Sequence, residues 1–210
     1  LAFNARFWEK VYQAVKDKID RSTPMQQRLF RHALEVGRRY NIDCKSRCKR
    51  PSPILAMEYK VWDKMILRLV RKQIGLENAN LFPTAGARVS PEVERFTHSV
   101  GINMCVGYGL TESLATVSCD RENMPFTIGS VGRPVNGLEV KIGENDEILL
   151  KGPTITSGYY KRDAANKEAF TEDGFFRTGD AGYIKDGEIF LTERIKELFK
   201  TSNGKYIAPQ

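Results

Sequence analysis

Residues 76–126 hold two short apolar runs separated by a capped helix, and both runs lead into glycine. Ala79 to Pro83 reads as a strand that passes into Thr84-Ala85-Gly86-Ala87-Arg88. Ser90 and Pro91 then open a helix, the serine as N-cap and the proline in the first turn. Ile102 to Val106 reads as a second strand, ending in Gly107-Tyr108-Gly109-Leu110-Thr111-Glu112. Strand, helix, strand with glycines at the strand ends predicts an α/β layer, whose ligands gather beyond the carboxyl ends of its strands.

The flanks differ from this layer and from each other. Residues 1–75 are helical in pattern: Phe7, Trp8, Val11, Val15 and Ile19 recur at three- and four-residue steps. Thr23 and Pro24 begin a second helix to about Tyr40. After Pro51 and Pro53, a third runs from about Ile54 to Ile74 with Tyr59, Trp62, Ile66, Leu69 and Val70 facing inward. Residues 127–193 are β-rich. Leu138 to Ile142 and Glu147 to Lys151 form a hairpin about Gly143 to Asp146, a short helix covers Ala164 to Phe170, and the last strand is Glu188 to Thr192.

The formal charge of +7 is unevenly spread. Residues 1–75 carry 18 Lys and Arg against 7 Asp and Glu, a net +11, and the remainder carries −4. The densest block, Lys45 to Arg50, suits nucleic acid or anionic lipid. It lacks the interleaved aromatics of a strand-binding groove and any recognised reading motif, so nucleic acid is not expected; the block reads first as a solvated loop between helices, with peripheral contact with a membrane as the other reading. The four cysteines are too scattered for a disulfide framework. Cys44 and Cys48 stand among cations that would repel a divalent ion, so they are read as free thiols, in keeping with a cytoplasmic location. No apolar run reaches membrane-spanning length. The start at Leu1, with no Met and no leader, reads as internal to a longer protein.

Three segments carry chemistry. Tyr108 to Glu112 offers a ring for a purine, a glycine for close backbone approach, and a hydroxyl and carboxylate for a Mg²⁺-bound phosphate. A tight turn with a helix-capping threonine would use the same residues. In Phe176-Arg177-Thr178-Gly179-Asp180, a carboxylate after a glycine turn can accept two hydroxyls of a ribose, although Gly-Asp is also a common surface turn. Glu193 to Lys205 packs cations beside a glycine-containing loop, suited to an anionic ligand or to a charged linker.

In this order the three segments resemble the adenylate-forming superfamily of acyl-CoA synthetases, peptide-synthetase adenylation domains and luciferases. Gly129-Ser130-Val131-Gly132-Arg133-Pro134, Gly152-Pro153 and Gly158-Tyr159-Tyr160 match between the motifs. Arg6-Phe7-Trp8-Glu9-Lys10-Val11 and Lys200-Thr201-Ser202-Asn203-Gly204-Lys205-Tyr206-Ile207-Ala208-Pro209 resemble the long-chain fatty acyl-CoA ligase branch.

The resemblance implies an α/β fragment of the large N-terminal domain over residues 1–193, ending at the interdomain hinge, with 194–210 as hinge and start of the small domain. It implies ATP, Mg²⁺ and CoA as ligands and a fatty acid as substrate. Thr111 would contact phosphate and Glu112 bind Mg²⁺. Tyr108 and Gly109 would border adenine, with the backbone of Gly86, Ala87 and Arg88 opposite. Asp180 and Arg194 would hold the ribose, Lys196 would serve as hinge, and Lys200 would serve the second half-reaction. The family's phosphate loop and its distal lysine are not in these residues, so the chain alone is expected not to form acyl-adenylate. Glu193 and Asn203 stand where the family usually has glycine, and Val106 where a polar residue is common. A ligase for another acid, or a non-catalytic module using the basic third, are the alternative readings.

Overall fold

A computed structural model describes residues 3–78, 81–120, 124–195, 199–200 and 206–207, with only the backbone for Glu193 and the last two pairs. The chain divides into two compact units: Leu1–Val106 with Asp120–Gly129, and Gly107–Cys119 with Ser130–Gln210.

The first unit is built on helices whose starts are written locally. Asn4 accepts from the Phe7 amide to open α1 (Ala5–Asp20). Thr23 and Gln26 form a reciprocal capping box, with Pro24 in the first turn, to open α2 (Pro24–Arg38). The helical path runs past the expected end at Tyr40, through a wide π-type turn at Arg39–Cys44 and a 3₁₀ turn at Lys45–Arg47, and stops at Cys48 in the left-handed region. Ser52 caps α3 (Pro53–Trp62), and a second π-type turn, Asp63–Leu67, joins it to α4 (Arg68–Gln73). Arg71 grips Asp63 from the far side of that turn at 2.7 Å and reaches the Val100 carbonyl at 2.6 Å. The turn takes up an extra residue, and the buried positions become Leu55 and Leu67. Leu69, expected to face inward, is 53% exposed.

β1 (Phe82–Thr84), α5 (Pro91–Ser99) and β2 (Met104–Tyr108) form the expected strand–helix–strand unit, with Ser90 capping and Pro91 leading the helix. The pairing is parallel, Phe82 with Met104 and Thr84 with Val106. Both strands lie later than the sequence predicts; Ala79 falls outside the described residues. Ile102 is spent closing α5, its amide bonding the Thr97 carbonyl at 3.0 Å, after Gly101 turns left-handed. β2 therefore takes in Gly107 and Tyr108. The core gathers Trp8, Val36, Leu67, Val100, Ile102 and Met104. The Trp8 indole donates to Thr84 Oγ1 at 2.8 Å, so the buried N–H is satisfied. α2 and α5 approach so closely at Gly37 that a Cβ there would lie 2.0 Å from the Ser99 carbonyl oxygen.

The second unit is mainly antiparallel. The end of β2 pairs with β3 (Ser118–Cys119), and β3 with β4 (Arg133–Pro134). β5 (Glu139–Ile142), β6 (Glu147–Lys151), β7 (Phe176–Lys185) and β8 (Glu188–Arg194) follow in order in one sheet, and α6 (Asp163–Ala169) lies between β6 and β7 in sequence. The hairpin about residues 143–146 is as expected. Phe176 to Asp180 is not a surface turn but part of the ten-residue β7. Gly179 has a φ of +73°, and the register with β6 shifts across it, Leu149 pairing with Arg177 but Glu147 with Ala181. The glycine marks a bulge inside a strand, which bends without ending. Ile148, Leu150 and Ile189 are fully enclosed and give this sheet its core. None of the four cysteines is in a disulfide, as expected.

Candidate active site

Three of the residues singled out in the sequence, Tyr108, Asp180 and Arg194, come together within the second unit. Tyr108, at the end of β2, donates its hydroxyl to Asp180 Oδ2 at 2.7 Å across 72 residues of sequence. Arg194, paired with Asp180 in the β7–β8 register, places Nε 3.3 Å from Oδ1. The bulge at Gly179 positions the carboxylate, and the Asp180 amide is fixed by Thr178 Oγ1 at 3.1 Å. Behind it, buried Glu147 accepts the Gly179 amide at 2.9 Å and an Arg177 N–H at 3.1 Å. Burial first, and then the bond to Asp180, pushes the Tyr108 phenol well above its ordinary range, so it remains a donor. A carboxylate has room for about four donors. Asp180 can therefore accept further hydroxyls while it keeps Tyr108 and Arg194. The Tyr108 ring is only 7% exposed, and a purine stacked on it would need that face uncovered.

Thr111 and Glu112 lie along the loop after β2. Thr111–Ser113 is a single 3₁₀ turn, and the Ala115 amide bonds the Leu110 carbonyl at 2.9 Å. The loop folds back so tightly that a Cβ on Gly109 would lie 1.9 Å from the Ala115 carbonyl oxygen, so only glycine fits. Thr111 is exposed and Glu112 half-buried. Tyr159 donates its hydroxyl to Glu112 Oε1 at 2.8 Å, and the Thr156 amide holds the Glu112 carbonyl at 2.7 Å. The bond to Glu112 raises the Tyr159 phenol, with burial adding to it. Tyr159 and Thr156 were given no role by sequence reasoning. Gly158-Tyr159-Tyr160 was visible as a family match, but nothing in its spacing points 47 residues back to Glu112.

Gly86, Ala87 and Arg88 form an exposed loop beyond β1 in the first unit, where Gly86 has a φ of +86°. Lys196 lies outside the described residues. The Lys200 backbone forms β9 (Phe199–Lys200), paired with β10 (Tyr206–Ile207), and its side chain lies outside them too. Among the described residues no group of three or more His, Cys, Asp or Glu could hold a metal ion unaided. Thr111 and Glu112 do fit Mg²⁺ in the way that ion is commonly held, by one carboxylate with phosphate oxygens and water completing the shell.

A strand-end loop bearing Thr and Glu, and an Asp–Arg–Tyr cluster that can receive a diol, are groups that a nucleotide site can use. The sequence profile of the AMP-binding enzyme family matches residues 25–160, and the chain belongs to that family. It is 32% identical over 207 residues to the long-chain-fatty-acid–CoA ligase FadD15 of Mycobacterium bovis, covering 97% of this chain and 33% of that protein. It is 31% identical over 222 residues to the peroxisomal long chain acyl-CoA synthetase 6 of Arabidopsis thaliana, covering 98% and 30%. The chain thus spans about a third of the length of the curated relatives it matches. The fold resembles the O-succinylbenzoate coenzyme A synthetase of Bacillus subtilis in complex with ATP and magnesium ion, with a TM-score of 0.55 at 21% identity over 77% of this chain and 38% of that one. It also resembles ATP-bound MatB of Rhodopseudomonas palustris, with a TM-score of 0.55 at 24% identity over 71% and 32%. These two likenesses concern the fold alone.

Proposed function

We propose that the protein is an ATP-dependent ligase that converts a long-chain fatty acid to its acyl-adenylate and then to acyl-CoA, releasing pyrophosphate and AMP. The observation that carries this reading is the convergence of Tyr108 and Arg194 on the Asp180 carboxylate, with Glu112 and Thr111 on the loop that follows Tyr108. In the first step a carboxylate oxygen of the acid attacks the α-phosphorus of ATP and pyrophosphate leaves. In the second the CoA thiol attacks the acyl carbon and AMP leaves. The chain's share is positioning and charge placement. Asp180 accepts the ribose hydroxyls, Arg194 balances its charge, and Thr111 donates to phosphate. Glu112 would hold Mg²⁺, which when bound neutralises phosphate charge. Lys196 acts as hinge for the change between steps, and Lys200 serves the thioester step. The long-chain assignment is supported by the two ligases above, whose printed names carry that substrate.

The site contacts belong to a nucleotide platform without its phosphate loop, so these 210 residues alone are expected to lack adenylation activity. Pyrophosphate release from fatty acid and ATP by this chain would overturn that statement. Acid-dependent ATP–pyrophosphate exchange by the whole protein, measured across acids of graded length, tests the substrate. Exchange that rises with chain length supports the proposal, and a preference for short or aromatic acids replaces it. A cytoplasmic ligase of membrane-derived acids also gives the basic third a reason to meet lipid from one side.

A further inference from the structure

The continuous helix from Pro53 to Gln73 carries two parallel stripes. Met57, Val61, Met65 and Leu69 are each between 49% and 71% exposed. Lys60, Lys64, Arg68 and Lys72, displaced from them by three residues, are exposed as well. In a plain α-helix a residue repeated every fourth position drifts by about 40° per step, and the stripe would wind away. The wide turn at Asp63–Leu67 takes up the drift and keeps both stripes on one side. The helix has two acidic residues, and both are engaged elsewhere, Glu58 with His32 and Arg39 and Asp63 with Arg71. Among the described residues none of the four cations forms an ion pair. Met65 and Leu69 also border an apolar groove of about 840 Å³ in which Val15, Ile19, Leu29 and Phe30 take part.

We infer that this face is a docking surface for an anionic lipid bilayer. Apolar side chains would enter the interface beside cations that meet headgroup phosphates and carboxylates. Charge complementarity selects this occupant, since a protein interface of this kind is depleted in lysine, whereas three of the four aligned cations here are lysine. No helix among the described residues is long and apolar enough to cross a membrane, so the contact is lateral. The surface is distinct from the Lys45 to Arg50 block, which lacks an apolar stripe. It gives the lipid contact proposed above a location and rests on that reading for its purpose alone. Vesicle binding needs no nucleotide, so a failure here leaves the ligase reading standing, and the exchange assay can fail without touching this one.

The test is co-sedimentation of the purified protein with phosphatidylcholine vesicles, with and without phosphatidylserine, at low and high salt. Binding should require phosphatidylserine and weaken with salt. Lys64→Glu/Arg68→Glu and Met57→Asp/Val61→Asp should each cut partitioning by at least about tenfold with an unchanged melting temperature, because all four side chains are exposed and lie off the groove. Lys45→Glu/Lys49→Glu should leave binding within about twofold. No binding, binding indifferent to the stripe variants, or binding lost only on changing Lys45 and Lys49 would each overturn the inference. A Met57→Asp/Val61→Asp variant that melts lower and never sediments would do so as well, since it would mean that another polypeptide surface covers this face.

Discussion

Tyr108 donates its hydroxyl to Asp180 at 2.7 Å, joining the last residue of β2 to the bulge of β7. Removing it as Tyr108→Phe leaves a largely enclosed carboxylate one donor short while Arg194 remains. The expected cost is about 1.5–3 kcal/mol of stability, the range for a hydrogen bond to a charged group. Urea denaturation checks this, with an unchanged dependence on denaturant as the sign that the fold is intact.

Glu112→Gln keeps the shape and can still accept from Tyr159, so it separates charge from packing. Melting temperature is expected to change little. The Mg²⁺ concentration that half-saturates ATP binding by the whole protein is expected to rise by about tenfold or more, as loss of a carboxylate ligand requires. Titration calorimetry at several Mg²⁺ concentrations measures it, and an unchanged Mg²⁺ dependence would remove Glu112 from the metal-binding role.

Gly37→Ala places a methyl group 2.0 Å from the Ser99 carbonyl, and backbone on both helices must separate. Overpacking of this kind costs about 1–3 kcal/mol or more. Differential scanning calorimetry should show the transition shifted down by several degrees. A wild-type melting temperature would mean that α2 and α5 are farther apart than described.

His98 is enclosed on α5, packed against Phe126 with ring centroids 4.8 Å apart, and burial followed by the nearby Lys45 cation pushes its pKa down from 6.5 to about 4. Its Nε2 has no hydrogen-bond partner among the described residues. Between those values the unfolded chain takes up a proton that the folded chain does not, so stability rises with pH through this window. Its contribution is fully present above about pH 6.5 and is lost as pH falls toward 4, on the order of 3 kcal/mol. Denaturation at stepped pH from 7 to 4 should show the slope, and His98→Gln should flatten it.

Local grammar made much of the first unit legible. Thr23 with Gln26, and Ser90 accepting from the Val93 amide, satisfy helix-start donors within four residues, so neighbours in sequence carry the whole signal. Leu69 was misplaced because a π-type turn has no sequence mark of its own and one extra residue rotates everything after it. Phe176 to Asp180 resembled a turn because Thr, Gly and Asp are turn residues. Inside β7 the same glycine supplies a bulge, and only the pairing with β6 distinguishes the two uses. Tyr108, Glu112, Asp180 and Arg194 could be named from the ordered motifs. The bonds of Tyr159 and Thr156 to Glu112 depend on how the chain returns after β6, which no spacing encodes.

The turn at Asp63–Leu67 works as a correction of phase. Deleting one residue from it would shorten the helix by only about 1.5 Å, yet would turn everything beyond by roughly 100°. Leu67 would leave the core, Arg71 would lose Asp63 and the Val100 carbonyl, and the two surface stripes would no longer line up. Along this helix a change in length is felt as an angle.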